Sequence, residues 1–250
     1  DFDLDGNKEH VQLSAADLAL PDPKRRYLAW EFTLEGRPTE DLQVFASYVW
    51  SHSWGMTEGL VRTDNGQADP GWTTSYDYAD LMDHGAGNLP NDRRHVLKLS
   101  GVYDLNDDWK LGLVTRATAG QPLNRFSIHP TGVDTCKAPG LWADWCASQW
   151  YDESSFYDWD GTPAPRGSAG RLDWLYEFDL SLTYRRELGD GDLSVKATVF
   201  NLFNFDTPLS VNEVAQITQT DNSFAANPDW NTATGLQTNR TVSLVVRYQF

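Results

Sequence analysis

Apolar and polar positions alternate along most of this chain with a period of two residues, the signature of strands rather than helices. In RRYLAWEFTLEG, residues 25–36, Leu28, Trp30, Phe32 and Leu34 oppose Ala29, Glu31, Thr33 and Glu35. Residues 41–53 set Leu42, Val44, Ala46, Tyr48 and Trp50 against Gln43, Phe45, Ser47, Val49 and Ser51. The same rhythm runs through 93–104, 109–118 and 192–204, and is clearest at 171–187. There Leu172, Trp174, Tyr176, Phe178, Leu180, Leu182 and Tyr184 share one side. The last ten residues, TVSLVVRYQF, put Val242, Leu244, Val246, Tyr248 and Phe250 on one face and Thr241, Ser243, Val245, Arg247 and Gln249 on the other.

Seven strands are therefore expected, each longer than the ~5–6 residues usual in soluble sheets and close to the ~9–11 that a tilted strand needs to cross a bilayer. Their connections alternate in length. GRPTED, NDD and GDGD are short turns, whereas 54–92, 119–170 and 205–238 are long. Tight turns on one side and long loops on the other are the asymmetry of an outer-membrane β-barrel. Under that reading Trp30, Trp50, Trp109, Trp174 and Tyr184 belong to interfacial aromatic girdles. The opposite face carries Glu31, Glu35, Asp173, Glu177 and Asp179 beside Lys98, Lys110, Arg116, Lys196 and Arg247. Burying that many charges in a dry core is very costly, and a wet lumen avoids it. A soluble β-sandwich with one solvated face also alternates, but does not account for the strand lengths or the strict loop asymmetry.

Composition adjusts this picture only in part. The 250 residues carry a formal charge of −16, which argues against nucleic acid as a partner. The aromatic load of 11 Trp, 10 Tyr and 11 Phe needs a core, a binding surface or a membrane interface. No signal peptide stands at Asp1, so either it has been removed or the chain begins within a longer protein.

Several stretches resemble the TonB-dependent receptors of Gram-negative outer membranes, and within them the Oar-like branch. They are TDNGQADPGWTTSYDYADLMDHGAGNLPNDRRHVLKLSGVYDL at 63–105, with NDRRH opening a strand, TAGQPLNRF at 118–126, VFNLFNFDTP at 199–208, and the terminal aromatic. The resemblance implies an all-β fold: about seven strands from the C-terminal third of a ~22-stranded barrel with a plugged lumen. Residues 1–24 would end an extracellular loop, and 25–250 would form the C-terminal strands with extracellular loops 54–92, 119–170 and 205–238. It implies substrate import energised by the TonB complex through a plug domain outside this chain, lipid around the wall, and no enzyme. Tyr248 and Phe250 would be the signal read by the barrel-assembly machinery. The rival readings are a small passive barrel or adhesin, and a soluble carbohydrate-binding sandwich.

Three further features suggest sites. DFDLDGN places Asp1, Asp3, Asp5 and Asn7 at alternate positions with Gly6 for a turn, an oxygen-ligand spacing suited to calcium. Gln12 stands where an EF-hand needs Glu, so the choice lies between a different calcium loop and a solvated acidic loop end. Cys136 and Cys146 fit a local disulfide in an oxidising compartment, or two free thiols. Trp142, Trp145, Trp150 and Trp159 crowd one loop, either gripping an extracellular ligand or packing over the barrel mouth. Arg93 and Arg94 either pair with loop carboxylates at the rim, the reading favoured here, or meet an anionic ligand.

Overall fold

The computed structural model describes residues 14, 20–59, 61–64, 79–130, 155–218 and 224–250. The predicted strands form as β1 (Arg25–Gly36), β2 (Leu42–Gly55), β4 (His95–Asp104), β5 (Trp109–Thr118), β6 (Leu175–Leu188), β7 (Gly191–Phe200) and β12 (Thr241–Gln249). A two-residue strand, β3 (Gly87–Asn88), pairs with the end of β2. Together they make one antiparallel sheet in the order β1-β2-β4-β5-β6-β7-β12. The long connection before β12 holds two small ribbons: β8 (Pro208–Val211) with β11 (Ala233–Leu236), and β9 (Gln216–Thr218) with β10 (Phe224–Ala226). Residues 171–174, expected within a strand, instead approach β6 as irregular backbone.

Register carries the alternation across the whole sheet. Trp30 lies opposite Trp50, Phe32 opposite Tyr48, and Leu99 opposite Ala46. Leu111 meets Leu182, Leu180 meets Val199, and Val246 meets Val195. A slip of one residue would exchange the faces, so a predominantly apolar side fixes the pairing. That side is open: Leu28, Trp30, Phe32, Leu34, Leu244 and Val246 are all exposed. An uncovered apolar face of this extent is a surface made for something other than water.

Aromatic rings mark two levels on it. Phe32 stacks near Tyr48 (6.5 Å), Tyr48 near His95 (6.1 Å), and His95 on Trp174 (5.8 Å). The Tyr48 hydroxyl also lies 2.8 Å from His95 Nδ1. Toward the other end Trp109 packs on Tyr184 at 4.8 Å, and Tyr248 lies beside Phe250 at 6.4 Å. From Trp174 to Tyr184 the chain climbs about 34 Å at ~3.4 Å per residue, or about 26 Å vertically at a barrel tilt near 40°. This matches the apolar band of about 25 Å that membrane barrels present. Among the described residues no helix is long and apolar enough to cross a membrane.

The short turns close with local chemistry. Asn106 Oδ1 accepts from the N–H groups of Asp108 and Trp109, both at 3.0 Å. Gly189 takes φ 66° between β6 and β7. At the opposite end, after β7, Asn201 and Asn204 adopt left-handed φ values of 50° and 57°. Asn201 Nδ2 donates to the carbonyls of Phe205 (2.8 Å) and Thr238 (2.9 Å), and Asn204 Oδ1 accepts from Arg240 N–H (2.8 Å). The two asparagines thus tie the departure of the long connection to its return.

Candidate functional site

Nearly all the fully buried side chains lie in the long connections gathered over one end of the sheet. Leu81, Leu89, Phe126 and Phe156 are enclosed there, with the Phe126 and Phe156 rings 5.3 Å apart. Segments remote in sequence meet through single bridges: Ser127 with Ser155, Phe126 with Val214, and Pro122 with Arg171. The approach is close enough at Gly87 that any Cβ would collide with the Arg166 carbonyl. We call this layer the cap.

Buried charges hold it. The Arg62 guanidinium sits 4.9 Å over Phe126 and 5.3 Å over Phe156, while Arg166 covers Phe156 at 4.5 Å. Between them lies Asp64, whose Oδ1 accepts from Arg62 Nε (2.6 Å) and whose Oδ2 accepts from Arg166 Nη1 (2.8 Å). Arg166 also donates through Nε to Gly85 O (2.8 Å). Cation–π contact and charge-assisted hydrogen bonds offset the desolvation of these groups. Asn124 extends the network, with Oδ1 accepting from Gly167 N–H at 2.7 Å and its own N–H donating to Glu213 Oε2 at 2.8 Å. Burial, reinforced by the Asp64 carboxylate, pushes Glu213 up to about 7 against the opposing Asn124 N–H and Arg62. Burial and the same Asp64 charge also raise Glu58.

The NDRRH segment joins cap to sheet. Asp92 is fully buried, and its Oδ1 accepts from Ser53 N–H at 2.7 Å. Its Oδ2 accepts from Arg94 Nε (2.8 Å) and from Arg171 Nη2. Burial pushes Asp92 up, but the donors Arg94, Ser53 and Arg171 prevail and hold it below the ordinary aspartate range. Arg94 thus finds the rim carboxylate expected of it. Arg93 does not: it donates to Ala119 O (3.3 Å) and Gln121 Oε1 (3.1 Å).

Below the cap, the polar face of the sheet carries charges in register. Ser47, Lys98, Arg116 and Glu177 lie in one row across β2, β4, β5 and β6, with Arg116 and Glu177 3.7 Å apart. Lower on this face Lys110 pairs with Asp104 at 2.6 Å. Near the short turns lies a half-open hollow of about 970 Å³, lined by groups of both signs including Asp108, Arg185, Glu187, Lys196 and Arg247.

Of the candidate ligand tryptophans, Trp159 is described: it is 43% exposed on the cap surface and its carbonyl accepts from Gln216 Nε2 at 3.0 Å. Trp142, Trp145, Trp150, Cys136, Cys146, Asp1, Asp3, Asp5 and Asn7 lie outside the described residues. Tyr248 and Phe250 are exposed at the short-turn end, and the Tyr248 hydroxyl donates to Leu188 O at 3.1 Å. Sequence reading missed Trp230, whose ring lies 3.9 Å beneath Arg125 and whose Nε1 donates to Asn124 O at 3.3 Å. It also missed Arg62 and Asp64, which stand two residues apart, and Arg166 and Glu213, which only the fold brings to them.

An apolar band flanked by aromatic rings, backed by a charged face and topped by long folded loops, defines a transmembrane β-sheet of the outer-membrane kind. Residues 7–227 match the outer membrane beta barrel domain family, and the chain belongs to it. Its strands therefore sit in the Gram-negative outer membrane. The chain is 30% identical over 203 residues to the TonB-dependent transporter Oar of Myxococcus xanthus, in keeping with the resemblance carried by NDRRH and NLFN. That match covers 79% of this chain but 16% of the relative, so the chain spans about a sixth of the relative's length. Among solved structures it is similar to the ferric-catecholate import receptor Fiu of E. coli K12, with TM-score 0.46 and 16% identity over 90% of this chain and 21% of that one. It is similar also to the siderophore receptor PiuA of Acinetobacter baumannii, with TM-score 0.48 and 9% identity over 90% and 22%.

Proposed function

We propose that this chain forms wall and extracellular cap of a TonB-dependent transporter that imports a substrate across the outer membrane. The observation that carries the reading is the two-sidedness of the sheet. Its outer face is predominantly apolar, while its inner face presents Lys98, Arg116, Glu177, Lys110 and Asp104 in register. Such a wall suits a wet, occupied lumen, and the relative Oar supplies the transporter assignment. TonB would act through a plug domain contributed by the rest of the polypeptide. Tyr248 and Phe250, side by side and exposed, would be read by the barrel-assembly machinery. Calcium at Asp1, Asp3, Asp5 and Asn7 and a Cys136–Cys146 disulfide remain parts of this proposal that rest on sequence.

The test is cross-linking in intact cells, followed by detergent extraction of the outer membrane and mass measurement of the native polypeptide and its adducts. We expect a polypeptide well above 28.2 kDa, cross-linked to TonB. A 28.2 kDa membrane species without a TonB adduct would favour a passive barrel or adhesin. Release without detergent would sink both in favour of a soluble sandwich.

A further inference from the structure

The cap encloses the rings of Phe126, Phe156 and Tyr157 but presents Trp159 to solvent. The turn that carries this ring is tied down through its backbone. Asp158 N–H donates to Thr162 O (2.8 Å) and Gly161 N–H to Asp158 O (2.9 Å), with Gly161 at φ 81°. Asp160 Oδ1 accepts from Thr162 N–H at 3.0 Å, and Ser127 Oγ donates to Asp158 O at 3.1 Å. Trp159 is held by both of its own backbone groups: its N–H donates to Asp158 Oδ1 (2.8 Å) and its carbonyl accepts from Gln216 Nε2 (3.0 Å). Gln216 is itself buried, and its Oε1 accepts from Ile128 N–H at 3.0 Å. Ordering a loose loop around a ligand costs conformational freedom, and a ring mounted in advance avoids most of that cost.

A second observation lies beside the first. The Arg125 guanidinium sits 3.9 Å over the Trp230 ring, and its Nη1 donates at 3.1 Å to the same Asp158 Oδ1 that holds Trp159 N–H. One carboxylate oxygen thus joins the stacked arginine to the exposed tryptophan. Trp230 fixes the plane of the guanidinium from below. Arg125 and Asp158 keep 32% and 27% of their side chains exposed, so the pair is open on its outer side. The hydrogen bonds among the described residues use Asp158 Oδ1 and leave Oδ2 without one.

We propose that Trp159, Arg125 and Asp158 form a shelf on the cap surface that binds a neutral saccharide. A pyranose ring offers C–H groups on one face and hydroxyls along its edge. The electron-rich face of Trp159 meets the C–H groups. Arg125 donates to one hydroxyl, and Asp158 Oδ2 accepts from its neighbour. An aromatic surface with a few placed polar groups is the usual make-up of a small-ligand site. Asp158 and Asp160 outnumber Arg125 at this turn, on a chain of net charge −16, so an acidic sugar is repelled. The shelf lies on the cap and not on the lumen wall, and its assignment goes beyond the transporter reading without resting on it.

The experiment measures affinity by surface plasmon resonance with the membrane-inserted protein in lipid nanodiscs. The probes are the neutral hexaoses of glucose, mannose and N-acetylglucosamine, with the hexaose of galacturonic acid as the acidic comparison. We expect at least one neutral hexaose to bind saturably, and the acidic one to bind more weakly by about tenfold or more. W159A should weaken the neutral hexaose by about tenfold or more, R125Q by several-fold, and W159F, which keeps a ring, by less than W159A. Limited proteolysis of the cap should proceed in W159A as in wild type. The proposal is overturned if no neutral hexaose binds saturably, or if W159A binds as well as wild type. It also falls if W159A loses binding together with faster cap proteolysis and W159F fails to restore it, because the ring would then be a packing element. Preference for the acidic hexaose would overturn the assigned ligand class. Binding is read without TonB or energy, so the cross-linking result and this one stand or fall separately.

Discussion

The sheet and the cap are built from the same chain but are inside out with respect to each other. In the sheet the largest apolar side chains, Trp30, Phe32, Leu244 and Val246 among them, point away from the protein, and the charged ones line the concave face. In the cap the apolar rings of Phe126 and Phe156 are enclosed, and even Arg62, Asp64 and Arg166 are buried with them. Two solvents account for the difference. Hydrocarbon leaves the sheet nothing to hide, so backbone pairing and lipid contact suffice to hold it. Water forces the cap to make an interior from irregular loops, and it does so with few large hydrophobes and many ion-paired ones. A barrel wall therefore tolerates what would unfold the cap, and the reverse.

Removing one partner from the cap's charge network has the largest expected effect. R166A leaves Asp64 with Arg62 as its remaining cation and takes the donor from Gly85 O, a change expected to cost up to about 3–5 kcal/mol, the range for broken buried pairs. In the membrane-inserted protein we expect hydrogen exchange at residues 85–89 and 123–127 to quicken sharply while amides of β4 to β6 keep their protection. Unchanged exchange in the cap would refute its dependence on this pair. Next comes L180R, close to midway between Trp174 and Tyr184 on the lipid face, which should destabilise refolding into vesicles by about 2–4 kcal/mol. Its neighbour S181R, on the lumen face, should cost far less, and equal losses would mean that the faces have been assigned the wrong way round.

The smallest of the three effects is on pH. Glu213 is raised from 4.5 to about 7 in the folded cap, so the native state binds its proton more tightly than the unfolded one. The stabilisation is thus complete below about pH 4.5 and is lost progressively as pH rises through 7, changing the cap-opening equilibrium by up to ~10-fold per pH unit. E213Q, which keeps an acceptor for Asn124 N–H, should flatten that dependence between pH 5 and 8, as read by loop proteolysis. A dependence of equal slope in E213Q would assign the effect to another group.

The wall was legible in the sequence because a strand's burial pattern is local: every second residue reports the face, and the short turns announce themselves within a few positions. Leu180 and Val199 could be placed on one side without knowledge of their neighbours. The cap obeys no such period. Arg166 reaches Asp64 across 102 positions and Asn124 reaches Glu213 across 89, so no window of sequence contains both partners. Arg94 was readable because its carboxylate stands two residues away, whereas Arg93 turns to Ala119 and Gln121, which are brought near by β5. Trp159 was singled out for its type and turned out half-exposed; Trp230 was overlooked because its role depends on the Arg125 above it.

The asparagine corner after β7 bears on how such a protein can diversify. With Asn201 holding Phe205 and Thr238, and Asn204 holding Arg240, the feet of the connection are stapled together independently of what lies between them. Closing a longer loop adds only about 0.6 kcal/mol for each doubling of its length. The intervening residues can therefore be lengthened, shortened or exchanged by mutation with little consequence for the wall, so new surface specificities can be sampled on an inherited frame.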